Sequence, residues 1–394
     1  MKNCAIVCEY NPFHSGHKYQ LDAMRARSVD NIVCVMSGSF VQSATPAFCD
    51  KSIRAKCAVM GGADAVAELP VVYATAGAQI FAEGAVKVMR GIKDIAYIAM
   101  GASASADEIL RLCDVKIKHH TAFTAELKKN LSEGKNYNAA SARALATVCS
   151  TVYSDKLDVA RILVDPNNIL SIEYVTAVDK LCANIQPIII ERKGRAYNET
   201  EIYGEHISAT AIRNEFDRGN AAAIEKYVPF MFDEISQWRN KHAPDIELYK
   251  SMAVFAAKTA AIEYIKDLRD CSEGLEYSIK NMSGKCDYDD YTASLTSKRY
   301  SKKRINRLFL DILLGINKKS TDMPFVTRLL ACKNGFDFSI LPDYVKTNNA
   351  AIKSAADGAD AVREVLSVDI NATALYNTLA KLDGDYFNYS VIKI

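Results

Sequence analysis

Two of the chain's six histidines, His14 and His17, stand three residues apart around Gly16, in the stretch "EYNPFHSGH" from Glu9 to His17. The apolar run "CAIVC", residues 4 to 8, precedes them and reads as a buried strand. A helix fits from about His17 to Ala26. The pair therefore stands where a strand hands over to a helix. Unpaired backbone N–H groups at such a point face an anion. Gly16 removes a side chain where a phosphate must come close. A spacing of three brings both imidazoles to one side of the first turn, where they can donate hydrogen bonds to phosphate oxygens as charge builds up. Pro12 stiffens the incoming loop. A surface loop with two incidental histidines is the plain alternative. Zinc lacks an evident third ligand.

Two further stretches carry anion-binding chemistry. In "ISATAIR", residues 207 to 213, Ser208 suits a helix cap. Ser208 and Thr210 can donate to phosphate, and Arg213 supplies a fixed fork of donors. An ordinary capped helix with a solvent arginine is the alternative. The stretch "SLTSKRYSKKRINR", residues 294 to 307, holds Lys298, Arg299, Lys302, Lys303, Arg304 and Arg307 and no acid. On a helix, Arg299, Lys303 and Arg307 make one cationic stripe that can follow a phosphate backbone, or a solvated face. Tyr300 suits a base or the core equally well. The patch "KIKHH", 116 to 120, is a smaller basic cluster. Lys51 and Arg54 share a helix face and suit phosphates or RNA, or else a structural or solvated role. Glu68, just before Pro70, reads as a capping or supporting group rather than a catalytic base.

The elements that must position these residues alternate. Strand-like runs cover 31–36, 63–69 and 95–100; helical spacers cover 50–60, with Asp50 as cap, and 77–89. Short apolar strands with helical spacers predict a parallel sheet covered on both faces. Residues 105–180 are mostly helical, with a turn at Asp165-Pro166-Asn167-Asn168 and a helix over 169–181, and 185–192 forms a further strand. The first domain, 1–235, is expected to end there. The second, 236–394, is expected to be mainly helical, with a polar loop over 270–293 and a helix whose Ile305, Leu308, Phe309 and Ile312 face a core.

Composition sets outer limits. The chain has 394 residues, with 49 Lys and Arg against 47 Asp and Glu, so overall charge offers no argument for or against a nucleic-acid partner. Eleven scattered cysteines without a CxxC pair point to reduced, buried thiols, Cys4 and Cys8 among them, in a cytoplasmic protein. No signal peptide precedes the first strand and no apolar run reaches membrane-spanning length, so no membrane is expected.

The segment around the histidines resembles the H-x-G-H signature of the nucleotidylyltransferase superfamily. Taken together, "EYNPFHSGHKYQL", "MSGSFVQ", "RAKCAVMGGADAVAELP", "FAEGAV", "PNNILSIEY", "ISATAIR" and "SLTSKRY" resemble the tRNA(Met) cytidine acetate ligase family. The resemblance implies a Rossmann-like nucleotidyltransferase domain with an attached, mainly helical region that helps hold tRNA. It implies an enzyme that makes acetyl-adenylate from acetate and ATP and then acetylates N4 of the wobble cytidine of elongator tRNA(Met). His14, His17 and Arg213 would be the catalytic set. Gly16, Asn167, Asn168, Arg192, Ser208 and Thr210 would bind ATP, with Mg2+ as phosphate partner but no dedicated metal site. Gly38, Ser39 and Gly101 would line the acetate pocket, and Lys298, Arg299, Lys303, Arg304 and Arg307 would bind tRNA. No obligate protein partner is evident.

The family pattern is not intact. Ser39 stands where the family usually has Asn, and Ser43, Ala44 and Thr45 replace its Arg, Gly and Glu. Met100-Gly101-Ala102-Ser103 replaces Phe-Gly-Ser-Glu, and Ala196-Tyr197-Asn198-Glu199 replaces Gly-Tyr-His-Asp. Two other readings therefore stay open: a nucleotidylyltransferase for a small metabolite, and an RNA-binding paralogue with weak activity.

Overall fold

Runs of small and β-branched apolar residues leave neither face of a strand fit for water, so they form the middle of a sheet. Five such runs do so in the computed structural model, which describes residues 2–154, 157–181, 183–191, 207–282, 284 and 287–394. They are β1 (Asn3–Cys8), β2 (Ile32–Ser37), β3 (Ala65–Leu69), β4 (Ile95–Ala102) and β5 (Gln186–Glu191). All five run parallel, as expected, with Cys4 against Ile32 in β1–β2 and Val33 against Ala65 in β2–β3. The early helices are α1 (Ser15–Arg25), α2 (Lys51–Met60), α3 (Val71–Ala74) and α4 (Ala78–Met89).

The sheet does not stop with the first 235 residues. β6 (Thr327–Cys332) joins β3 antiparallel, with Ala65 opposite Cys332. β7 (Val345–Lys346) and β8 (Ile392–Lys393) each pair parallel with β6. The order is β5-β4-β1-β2-β3-β6-β7, a mixed sheet with flanking helices. The main hydrophobic core likewise runs from Ala5 in β1 to Ala380. The division expected at 235 therefore has no counterpart in the sheet or in the core. Arg328 hides β6 in the sequence, because a charge interrupts its apolar pattern. In the fold that guanidinium is buried 3.9 Å from the centre of the Tyr386 ring.

Residues 270–293 correct a second expectation. They hold two helices, Leu275–Asn281 and Tyr288–Leu295, rather than a loop. Leu275, Ile279, Tyr291 and Leu295 join Ile305, Leu308, Phe309 and Ile312 in a core of their own. Caps and acids between these short helices mask their spacing, with Asp287 capping the second.

Buried charge ties the two cores together. Arg269 pairs with Asp311 at 2.6 Å, and its Nη1 donates to the Val72 carbonyl at 2.5 Å. Asp369 accepts from the Val71 N–H at 2.7 Å, so α3 is held from two later parts of the chain.

Of the roles open to Lys51 and Arg54, the structural one is observed. Arg54 is fully buried and donates to the carbonyls of Glu9 (2.7 Å) and Ser37 (3.0 Å), stapling the ends of β1 and β2. Lys51 is buried against Glu68 at 2.7 Å. Burial lowers the Lys51 pKa and Glu68 opposes that shift. The basic patch 116–120 dissolves for the same reason, since Lys116 is buried and bonded to Glu173 at 2.6 Å.

Burial, with Glu68 nearby, pushes the Asp369 carboxyl up to about 7. The unfolded value is about 3.9. Between these values the folded state binds more protons than the unfolded one, so stability falls as pH rises through that window. Thermal melts from pH 5 to pH 8 should show part of this loss disappearing in Asp369→Asn, which keeps an acceptor for the Val71 N–H.

Candidate active site

In the strand order, β1 lies between β4 and β2, and the chain winds away from it in both directions. A crevice opens at such a switch point beyond the carboxyl ends of the strands. The loop from Glu9 to His14 crosses this edge. Tyr10 takes a left-handed conformation there (φ 47°), and its buried ring packs on Phe13 and His17 with centroids 4.9 and 4.7 Å away.

The histidines close the head of α1 on itself. His14 Nδ1 accepts from the Gly16 N–H at 3.1 Å, and His17 Nδ1 accepts from the His14 N–H at 3.2 Å. This is a capping box with imidazoles in place of Ser and Glu. Each neutral ring has spent its acceptor nitrogen on the backbone, which leaves Nε2–H as a donor. The rings stack 3.7 Å apart at 27°. A Cβ at Gly16 would lie 2.9 Å from His14 Cε1, so glycine here is what lets the first imidazole sit over the helix end.

A second element locks onto this loop. Ser208 caps the helix Ala209–Asp217, accepting from Ala211 N–H at 3.1 Å. Arg213 donates to the Asn11 carbonyl at 2.7 Å and to Thr210 Oγ1 at 3.0 Å. Its guanidinium is thus both a cation in the crevice and a strut between the two motifs. Glu9 accepts from the Gln42 N–H at 2.8 Å. Burial raises its pKa, against that hydrogen bond and the charges of Arg213 and Arg54.

These groups line one cavity of about 880 Å³. His14, Gly16, His17, Gly101, Asn167 and Arg213 lie on its walls, and so do Arg299, Lys303, Arg304 and Arg307. The histidine motif and the basic segment, about 290 residues apart in the chain, therefore share a chamber.

Similarity to known proteins agrees with this geometry. Residues 1–387 match the family model HIGH Nucleotidyl Transferase. The tRNA(Met) cytidine acetate ligase of Thermoanaerobacter sp. (strain X514) is 34% identical over 334 residues, 82% of each chain. That of Acetivibrio thermocellus is 30% identical over the full length of both. Two crystal structures of Thermotoga maritima TmcAL cover all of both chains. The apo form superposes with a TM-score of 0.88 at 26% identity, and the form bound with alpha-thio ATP with 0.86 at 25%.

The chain belongs to the tRNA(Met) cytidine acetate ligase family.

Within this ligase-family fold, several residues stand apart from their expected places. Asn168 is buried and does not line the cavity. It accepts from the N–H groups of Ser103 (2.9 Å) and Ala104 (3.1 Å) and donates to the Ile162 carbonyl (2.8 Å), shaping the turn after β4. Its neighbour Asn167 does reach the cavity, held by Asp165 at 2.8 Å. Gly38 and Ser39 are off the cavity wall. Gly38 packs against Glu68, whose Oε1 would lie 2.1 Å from a Cβ there, and Ser39 is buried. Gln42, Ser43 and Thr45 line the cavity in their stead. Arg192 and Asn198 lie outside the described residues.

The basic segment is also less of a stripe than its spacing suggests. Its helix starts at Lys302, so Arg299 precedes it. Acids from another stretch of chain meet the arginines: Arg299 pairs with Glu273 at 2.6 Å and Arg307 with Asp270 at 2.6 Å. Arg304 donates to the Asp270 carbonyl (3.0 Å) and Ser272 Oγ (2.8 Å), with its guanidinium 5.1 Å from the centre of the Tyr300 ring. Among the described residues Lys298 and Lys303 form no ion pair. The wall formed by Gln79, Tyr137 and Tyr174 had no signature of its own in the sequence beyond the Asn136 cap and the "IEY" of a longer motif.

Gly16→Ala should displace the His14 ring while leaving the backbone fold intact. A misplacement on this scale is expected to lower turnover of ATP by about 100-fold. Pyrophosphate release at saturating ATP, with a thermal melt as control, measures it.

Proposed function

We propose that this protein is an ATP-dependent ligase that activates acetate as acetyl-adenylate and passes the acetyl group to N4 of the wobble cytidine of elongator tRNA(Met). One observation carries the reading. In a chain of this family, the paired imidazoles and the basic segment open into a single cavity. An anionic nucleotide and an RNA phosphate backbone can therefore be held side by side.

In the first step an acetate oxygen attacks the α-phosphorus of ATP and the bond to the bridging oxygen breaks, releasing pyrophosphate. No protein nucleophile is needed. His14 and His17 donate through Nε2–H as negative charge moves onto the departing phosphates. The head of α1 and Arg213 add further positive potential. Asn167 and Gly101 both line the cavity, and the proposal gives Asn167 to the nucleotide and Gly101 to acetate. In the second step N4 of cytidine attacks the acetyl carbonyl, the bond to the AMP oxygen breaks, and N4 loses a proton. Among the described residues no three His, Cys, Asp or Glu side chains gather round a metal position. Mg2+ as a partner of the ATP phosphates, where it would neutralise charge, belongs to this proposal.

We assign contact with the tRNA phosphates to the basic segment, within residues 236–394, and ATP binding to residues 1–235. Among the described residues no helix is long and apolar enough to cross a membrane. A cytoplasmic location, beside its tRNA, belongs to this proposal.

Purified protein should release pyrophosphate from ATP only when acetate is present, and should transfer labelled acetyl to tRNA(Met). His17→Ala should lose both. Adenylylation of a small metabolite without RNA, or tight tRNA binding with no ATP turnover, would replace this reading. The Lys298→Ser/Lys303→Ser pair should weaken tRNA binding, and its log–log salt dependence should fall by roughly 1.4, about 0.7 per phosphate contact on a single strand. Acetate-dependent pyrophosphate release should stay near wild type.

A further inference from the structure

An enzyme that modifies a base must take it out of its stack and hold it against something. One side chain at this cavity is built for that. Tyr137 opens the helix Tyr137–Val152, lines the cavity, and leaves 41% of its surface exposed. Its hydroxyl donates to Gln79 Oε1 on α4 at 3.0 Å. Gln79 is held in turn, donating to Glu83 at 3.0 Å, and Glu83 pairs with Lys180 at 2.7 Å. Burial of that hydroxyl pushes its pKa up to about 12. The side chain is thus tethered at the cavity wall by its hydroxyl while much of it stays exposed.

The basic segment is fastened to the same place. Asn136 caps the Tyr137 helix and donates from Nδ2 to the Lys298 carbonyl at 3.2 Å. The Tyr137 side chain thus neighbours the segment that carries Arg299 and Lys303, which line the same cavity. Flat aromatic face beside cations is the combination that holds a single-stranded nucleotide, the base by stacking and the flanking phosphates by charge. A free base or small metabolite would leave those cations without phosphates.

We propose that Tyr137 is the stacking platform for the pyrimidine base of a single-stranded RNA loop, set at the cavity that also holds the histidine pair. This rests on the reading given under Proposed function, with that base as the acetyl acceptor. Tyr137 positions the base and takes no part in the chemistry.

The test compares Tyr137→Ala, Tyr137→Leu and Tyr137→Phe by three measurements. These are affinity for an anticodon stem–loop with cytidine at the wobble position, acetyl transfer to it at saturating ATP and acetate, and acetate-dependent pyrophosphate release across ATP concentrations. Ala and Leu should weaken stem–loop binding and transfer by roughly 5- to 100-fold, and Phe, which keeps the π face, should stay within about threefold of wild type. The KM for ATP and the melting temperature should not move. Wild-type transfer by Tyr137→Ala would overturn the proposal. So would rescue by Leu as complete as by Phe, or a rise in the KM for ATP that shows the ring holds adenine instead. A wild type that binds the stem–loop through Tyr137 but releases no pyrophosphate with acetate would overturn the assigned reaction and leave the platform standing.

Discussion

The site depends on how the first helix is closed at its amino end. Backbone N–H groups there need acceptors, and two imidazoles supply them through Nδ1. That single use fixes three things at once: ring orientation, the tautomer of the neutral ring, and the stacked contact at 3.7 Å. Serine or aspartate would cap the helix as well, but neither would leave a second N–H to donate. On the proposed function, the cap and the phosphate-binding group are the same side chains. Arg213 extends this economy, because the guanidinium that adds charge to the crevice also holds the Asn11 carbonyl in place.

Charge buried away from the cavity does a different task. Arg269 and Asp311 pair within the protein, and Arg269 also reaches the α3 backbone. Removing one member of such a pair strands the other charge and costs about 3–5 kcal/mol. Through this pair the Asp311 helix and the α3 backbone share one guanidinium. Lys51, Glu68 and Arg328 make a comparable cluster where β3 meets β6, with Glu68 Oε2 and Arg328 Nε 3.7 Å apart. Both clusters join late chain to early chain. Asp311 lies on the helix Lys302–Leu314 that carries Lys303 and Arg307 to the cavity, so the place of the basic segment depends on long-range pairing.

That placement changes what the basic segment is. On the sequence it is a run of uncompensated positive charge. In the fold Asp270 and Glu273 neutralise and orient its arginines, while Lys298 and Lys303 stay without ion pairs among the described residues. Lysines without ion pairs, beside arginines that have them, suit a partner whose phosphates are spaced by a flexible chain.

The sequence alone determined the parallel strands, the strand-to-helix handover at His14 and His17, and the "ISATAIR" turn. Each depends on contacts within a few residues, such as apolar runs, caps and a glycine at a close approach. It also carried the family resemblance through seven ordered motifs. Tertiary structure decided everything that depends on which distant residues meet. It buried Lys51 and Arg54, used Asn168 to shape a turn, and took Gly38 and Ser39 off the cavity wall. It drew β6 into the sheet, because a buried arginine stacked on Tyr386 looks, in a one-dimensional pattern, like a surface charge. It also set Tyr137 beside the basic segment, through one hydrogen bond from Asn136 to a carbonyl 162 positions away. Local patterns report the propensity of a segment; burial and charge pairing are properties of neighbours that only the folded chain supplies.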